Sequence, residues 1–138
     1  MSARTFTPAE ANSALAQVRP AAERMVALRE RLRELERERR ELVQTIAGNG
    51  SGFAVNDARQ EGFDALLKEL EACVEEVQAL GIVVKDVDLG LVDFPARRNG
   101  EHVLLCWHVG EERVAFWHGV EEGYAGRKPV DWGEEDAG

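Results

Sequence analysis

The sequence predicts an α+β fold: a long antiparallel helical hairpin, preceded by a short helix, packed on a three-stranded antiparallel meander. Three observations predict it. Two stretches carry apolar residues three and four apart, a glycine-rich break separates them, and beyond Gly81 the pattern switches to two-residue alternation. The chain has 138 residues, 44% hydrophobic and 31% charged, which suits one globular core rather than a disordered or fibrous chain. It reads as a single domain over residues 1–130, with a helical part at 7–81, a sheet part at 82–119 and a C-terminal loop at 120–130. Residues 131–138, with four acids and no base, read as a disordered tail.

The first helix opens on a capping box: Thr7 as N-cap, Pro8 at the first helical position and Glu10 reaching back, with Phe6 placed to staple the entry. Val18, Ala21, Met25, Leu28, Leu32, Leu35, Leu42 and Ile46 form a heptad-like, coiled-coil seam interrupted only by Arg39. Pro20 lies inside that pattern. Because proline removes a backbone donor and disfavours helix at the preceding residue, a break near Arg19 is expected, with the long helix running from Pro20 to Ala47. The glycines of Gly48–Gly52 form a flexible elbow. Asn56 or Asp57 then caps a second helix with the seam Phe63, Leu66, Leu70, Cys73, Val77 and Leu80, broadened by Leu67 and Val74, and Gly81 stops it.

In the sheet part, the strands are expected at Leu91–Arg97, Glu101–His108 and Arg113–His118. Asn99-Gly100 signals a two-residue hairpin that pairs Arg98 with Glu101. Gly110-Glu111 suggests a second tight turn pairing Val109 with Glu112. On these registers Val92, Phe94, Ala96, Val103, Leu105, Trp107, Val114, Phe116 and His118 share one apolar face, which packs on the helices. The other face gathers Asp93, Leu104, Cys106, His108, Arg113, Ala115 and Trp117, a mixture that calls for a cover, either the returning C-terminal segment or a second subunit. A three-residue turn with a bulge at Gly110 would instead reverse the last strand, bringing Phe116 and His118 to the face of Cys106 and sending Trp117 inward.

Acidic residues outnumber basic ones 26 to 17, a net charge of −9, so nucleic acid is not an expected partner. The arginines between Glu23 and Leu42 are matched by glutamates and read as a solvated, ion-paired helix face. No apolar run approaches membrane-spanning length, and the first twenty residues lack a signal-peptide core. Cys73 and Cys106 form neither a disulfide framework nor a C-x-x-C pair, which suits a reducing cytoplasm.

The strings FTPAEAN, GLVDFPA, LCWHVGE and FWHGVEEGYAGRKP resemble the motifs of a bacterial family catalogued as domain of unknown function 2203. The resemblance spans nearly the whole chain and is most specific from Gly90 to Pro129. It implies a small cytoplasmic bacterial protein and brings no activity. Positions matching the motifs are Asp93, Phe94, Cys106, Trp107, Gly110, Glu111, Trp117, His118, Gly123, Gly126 and Arg127.

Candidate site residues are therefore Asp93, Cys106, His108, Glu111, Trp117, His118 and Arg127. Asp93, Cys106 and His108 share one face and form the metal-competent subset, with Asp93 directly across from Cys106; the same three residues are the elements of a nucleophile, base and orienter. His118 is expected on the opposite, helix-facing side as a structural residue, and Arg127 to close a carboxylate pair with Asp93 or Glu111. With three ligands at most and no metal-spacing motif, no metal or cofactor is expected. The leading functional expectation is a non-catalytic interaction module assembling as a homo-oligomer, most simply a two-fold dimer. The alternative is a small enzyme or a metal- or ligand-binding protein with its site on the sheet.

Overall fold

The computed structural model describes residues 4–46 and 53–132. Helices α1 (Pro8–Ile46) and α2 (Phe53–Gln78) are followed by strands β1 (Val83–Asp86), β2 (Leu91–Arg98), β3 (Glu101–Trp107), β4 (Phe116–Gly119) and β5 (Lys128–Pro129), with a 3-10 turn at Tyr124–Gly126. The strands form one antiparallel sheet in the order β1-β2-β3-β4-β5. The α+β class holds; the sheet has five strands rather than three, because short edge strands, β1 and β5, flank the central meander. The Gly48–Gly52 elbow and the end of the acidic tail lie outside the described residues.

The capping box forms as its chemistry requires: Glu10 N–H donates to Thr7 Oγ1 at 3.0 Å and Thr7 N–H donates to Glu10 Oε1 at 2.9 Å. Phe6 is buried edge-on against Phe94, 5.4 Å between ring centroids, and its N–H donates to the Pro95 carbonyl, tying the helix entry to β2. The expected break near Arg19 does not occur. One helix runs through Pro20, because Pro20 and Ala16, whose carbonyl loses its donor, are both on the exposed side, while the buried stripe Ala11, Leu15, Val18, Ala22, Met25 crosses the proline in register. α2 starts at Phe53, ahead of the expected caps Asn56 and Asp57. Gly81, with φ of 88°, ends the following turn as expected. The two helices pack side by side in opposite directions: Arg4, just before α1, donates to the Leu80 carbonyl beyond the end of α2, and Arg24 pairs with Glu69.

The inner sheet face presents Val92, Phe94, Ala96, Val103, Leu105 and Trp107 to Leu15, Val18, Met25, Leu28 and Leu32 of α1 and Leu70, Cys73 and Val77 of α2. Each fully buried large side chain contributes roughly 1.5–3 kcal/mol relative to exposure. Gly90, with φ of 62°, lets the chain pass close to α1: a Cβ there would lie 2.5 Å from Val109 Cγ2 and 3.3 Å from the Ala22 carbonyl.

The Asn99-Gly100 hairpin is present, with Arg98 paired to Glu101 and φ values of 53° and 82° at the two turn residues. The expected Gly110-Glu111 turn is not. Instead Glu111 N–H donates to the His108 carbonyl, so Gly110, φ of 105°, is the second central residue of a turn spanning His108–Glu111. The loop continues to Ala115 before β4 begins. Asn12 on α1 holds it by bridging both backbone groups of Val114, and Arg19 donates to the Glu111 and Glu112 carbonyls. Val114 is therefore buried as a loop anchor rather than as a strand residue. The consequence is the reversed register. Cys106 pairs with Phe116, Leu104 with His118 and Leu105 with Trp117. Phe116 and His118 thus share the outer face with Asp93 and Cys106, and Trp117 moves to the inner parity, half-buried against Trp132 and Arg98.

Candidate metal centre

Adjacent strands bring three side chains together. Asp93 on β2 is directly across from Cys106 on β3, and His118 on β4 is one step diagonal. All three are buried, at 1%, 1% and 2% exposure. One ligand atom from each, the Cys106 Sγ, a carboxylate oxygen of Asp93 and a ring nitrogen of His118, lies within 4.8 Å of the others.

His118 Nδ1 is 2.8 Å from the Gly119 carbonyl and donates to it; Nε2 is 3.2 Å from Asp93 Oδ1. The Nδ1 bond fixes the ring so that Nε2 faces Asp93, as second-shell carbonyls do for metal-ligating histidines. The 3.2 Å separation matches the ~3.3 Å edge between nitrogen and oxygen ligands each ~2.0 Å from a tetrahedral zinc ion. Burial pushes the Cys106 thiol up to about 12, the nearby Asp93 charge adding to the rise and Arg127 opposing it. Without a cation the sulfur holds its proton.

A second tier surrounds the cluster. Arg127 donates from Nη2 to both Glu111 carboxylate oxygens, at 2.7 and 2.8 Å, and approaches the Cys106 carbonyl at 3.4 Å. Its guanidinium lies over the rings of Phe116, at 4.2 Å, and Tyr124, at 4.7 Å. Glu111 also accepts from His108 N–H. His108 is not a member of the cluster: it sits past the end of β3, its Nδ1 beside the Val109 carbonyl and its Nε2 beside the Tyr124 hydroxyl. Glu122 accepts from Gly119 N–H and from Lys128, two bonds that hold its carboxyl below the usual range, and it fixes the 120–127 segment next to His118.

Of the residues expected on sequence grounds, Asp93 and Cys106 do meet, Glu111 is the carboxylate that pairs with Arg127, and the returning C-terminal segment covers the outer face. His118 takes the place expected for His108, correcting its assignment to the helix-facing side. Trp117 is on neither tier. Asn12 and Arg19, which pin the loop that sets this register, were missed; the only signal was an amide and a guanidinium within the core-facing half of α1.

The fold and cluster define an α+β protein with a buried Asp–Cys–His group on the outer face of an antiparallel sheet. The chain belongs to the family described as uncharacterized conserved protein, DUF2203, whose model matches residues 4–130 and confirms the resemblance. No curated protein and no solved structure matches it. Among the described residues, no helix is long and apolar enough to cross a membrane.

Proposed function

We propose that the protein binds one divalent cation of the zinc class through Asp93, Cys106 and His118. The observation that carries this reading is that one ligand atom from each of the three buried side chains lies within 4.8 Å of the others, while His118 Nε2 faces Asp93 and Nδ1 is tied to the Gly119 carbonyl. A nucleophile–base–orienter relay needs the two ring nitrogens to serve cysteine and carboxylate separately. Here Nε2 faces the carboxylate and Nδ1 a backbone carbonyl, so no ring nitrogen is left to serve the thiol separately, which suits a shared ion. Thiolate, imidazole and carboxylate together favour zinc over calcium or magnesium, and a thiolate and a carboxylate neutralise the ion's charge inside a buried site. The reduced thiol ligand fits a cytoplasmic location. The test is equilibrium titration of the reduced chain with Zn²⁺ against a chromophoric chelator. One tight equivalent is expected, lost in Cys106→Ala and His118→Ala; no binding, or binding unchanged in both variants, contradicts the reading.

One observation favours homo-oligomeric assembly as a second property. Leu28 and Leu32 are 5% and 1% exposed beneath the sheet, yet further along the hairpin Leu35 and Leu42 are half-buried, Val43 is 53% exposed and Leu67 38%. A second copy along this distal seam would cover them as a two-fold dimer. Sedimentation at micromolar concentration checks it: a dimer dissociated by Val43→Glu is expected, and a monomer contradicts it.

A further inference from the structure

Resting on the metal reading above, we propose that the centre keeps one coordination position for an exchangeable small oxyanion, and that Arg127 is the residue that receives it. Three protein ligands leave a tetrahedral ion one short, the arrangement of an open rather than a closed site. No fourth histidine, cysteine or carboxylate joins the cluster among the described residues. The side chain poised beside the cluster is a donor instead.

Arg127 is held firmly. Its guanidinium lies over Phe116, whose strand partner is Cys106, and over Tyr124, and Nη2 is occupied by Glu111 and the Cys106 carbonyl. Its Nε–H is buried and has no acceptor among the described residues. An unpaired buried N–H is costly, and this one belongs to a side chain whose Nη2 reaches the backbone carbonyl of Cys106, so it is a donor ready for an incoming acceptor. A group that fills the remaining position must offer oxygen acceptors to the ion and to the Nε–H together, beside the Arg127–Glu111 pair. A carboxylate or phosphate group meets both demands, since each carries neighbouring oxygens matched to a guanidinium and a cation.

The experiment uses the full reduced chain loaded with one equivalent of Co²⁺, whose visible spectrum reports coordination directly, titrated separately with acetate and with inorganic phosphate. The expected result is a saturable spectral change with at least one of them; which one responds identifies the oxyanion class. In Arg127→Lys, which keeps the charge but removes the Nε donor, the apparent affinity should fall roughly tenfold or more while cobalt stoichiometry stays at one. A cobalt spectrum indifferent to both anions, or equal affinities in the wild type and Arg127→Lys, overturns the anion position but leaves the metal reading standing. A chain that takes up no cobalt overturns the metal reading and this inference together.

Discussion

The imidazole of His118 offers Nδ1 to the Gly119 carbonyl, at 2.8 Å, and Nε2 to the Asp93 carboxylate, at 3.2 Å, with the Cys106 thiol in the same buried group. A cation bound there would displace the proton on Cys106. The thiol supplies a pH test. Its pKa rises on folding from 9.0 to about 12, mainly through burial, so above pH 9 the unfolded chain loses a proton that the folded chain keeps. The metal-free protein should therefore lose stability as pH rises from about 9 to 12, with a slope of up to about 1.4 kcal/mol per pH unit from this group. Denaturant unfolding of wild type and Cys106→Ala across that range measures it: the variant should lack this part of the slope, and parallel profiles would contradict the assignment. At this scale the sequence showed Asp93 opposite Cys106, because an Asn-Gly turn fixes register without help from tertiary structure. It misplaced His118, because the parity of β4 depends on a loop whose geometry is decided by contacts with a helix about a hundred residues earlier in the chain.

Elements with local determinants were legible. The capping box at Thr7, the hairpin at Asn99-Gly100 and the stop at Gly81 each rest on residues within four positions of one another, and each forms. Pro20 and the loop of residues 108–115 were not legible, because packing overrides local preference in both. Pro20 lies on the exposed face of α1 and contributes no buried contact, so replacing it restores a helical hydrogen bond at no packing cost. Pro20→Ala should stabilise the protein by about 1 kcal/mol or more, up to the ~3 kcal/mol helix penalty of proline, read as a higher denaturant midpoint. A lower midpoint would mean the chain needs the proline for a bend there. Asn12 gives the complementary case. Its amide satisfies both backbone groups of buried Val114, so Asn12→Ala should cost about 1–3 kcal/mol. Amide exchange at Val114 should accelerate more than exchange in β2. Unchanged protection at Val114 would show that the loop is held by other contacts.

The whole molecule divides its work between two sheet faces. The inner face joins the helical hairpin into one core, and the outer face, closed by the returning 120–127 segment, encloses the Asp93–Cys106–His118 group. The class of fold and the need for a cover over the outer face followed from period and register. The extra edge strands did not, since β1 and β5 have four and two residues and carry no alternation long enough to detect. The enclosed group is proposed to hold a single metal ion. Native mass spectrometry of the full reduced chain, equilibrated with zinc and then freed of excess ion, reads it directly. One zinc per chain with a compensating loss of protons is expected, and zinc-free spectra for Cys106→Ala and His118→Ala that otherwise retain the native charge-state distribution. A folded wild-type chain that emerges without zinc, or variants that carry as much zinc as the wild type, would contradict it.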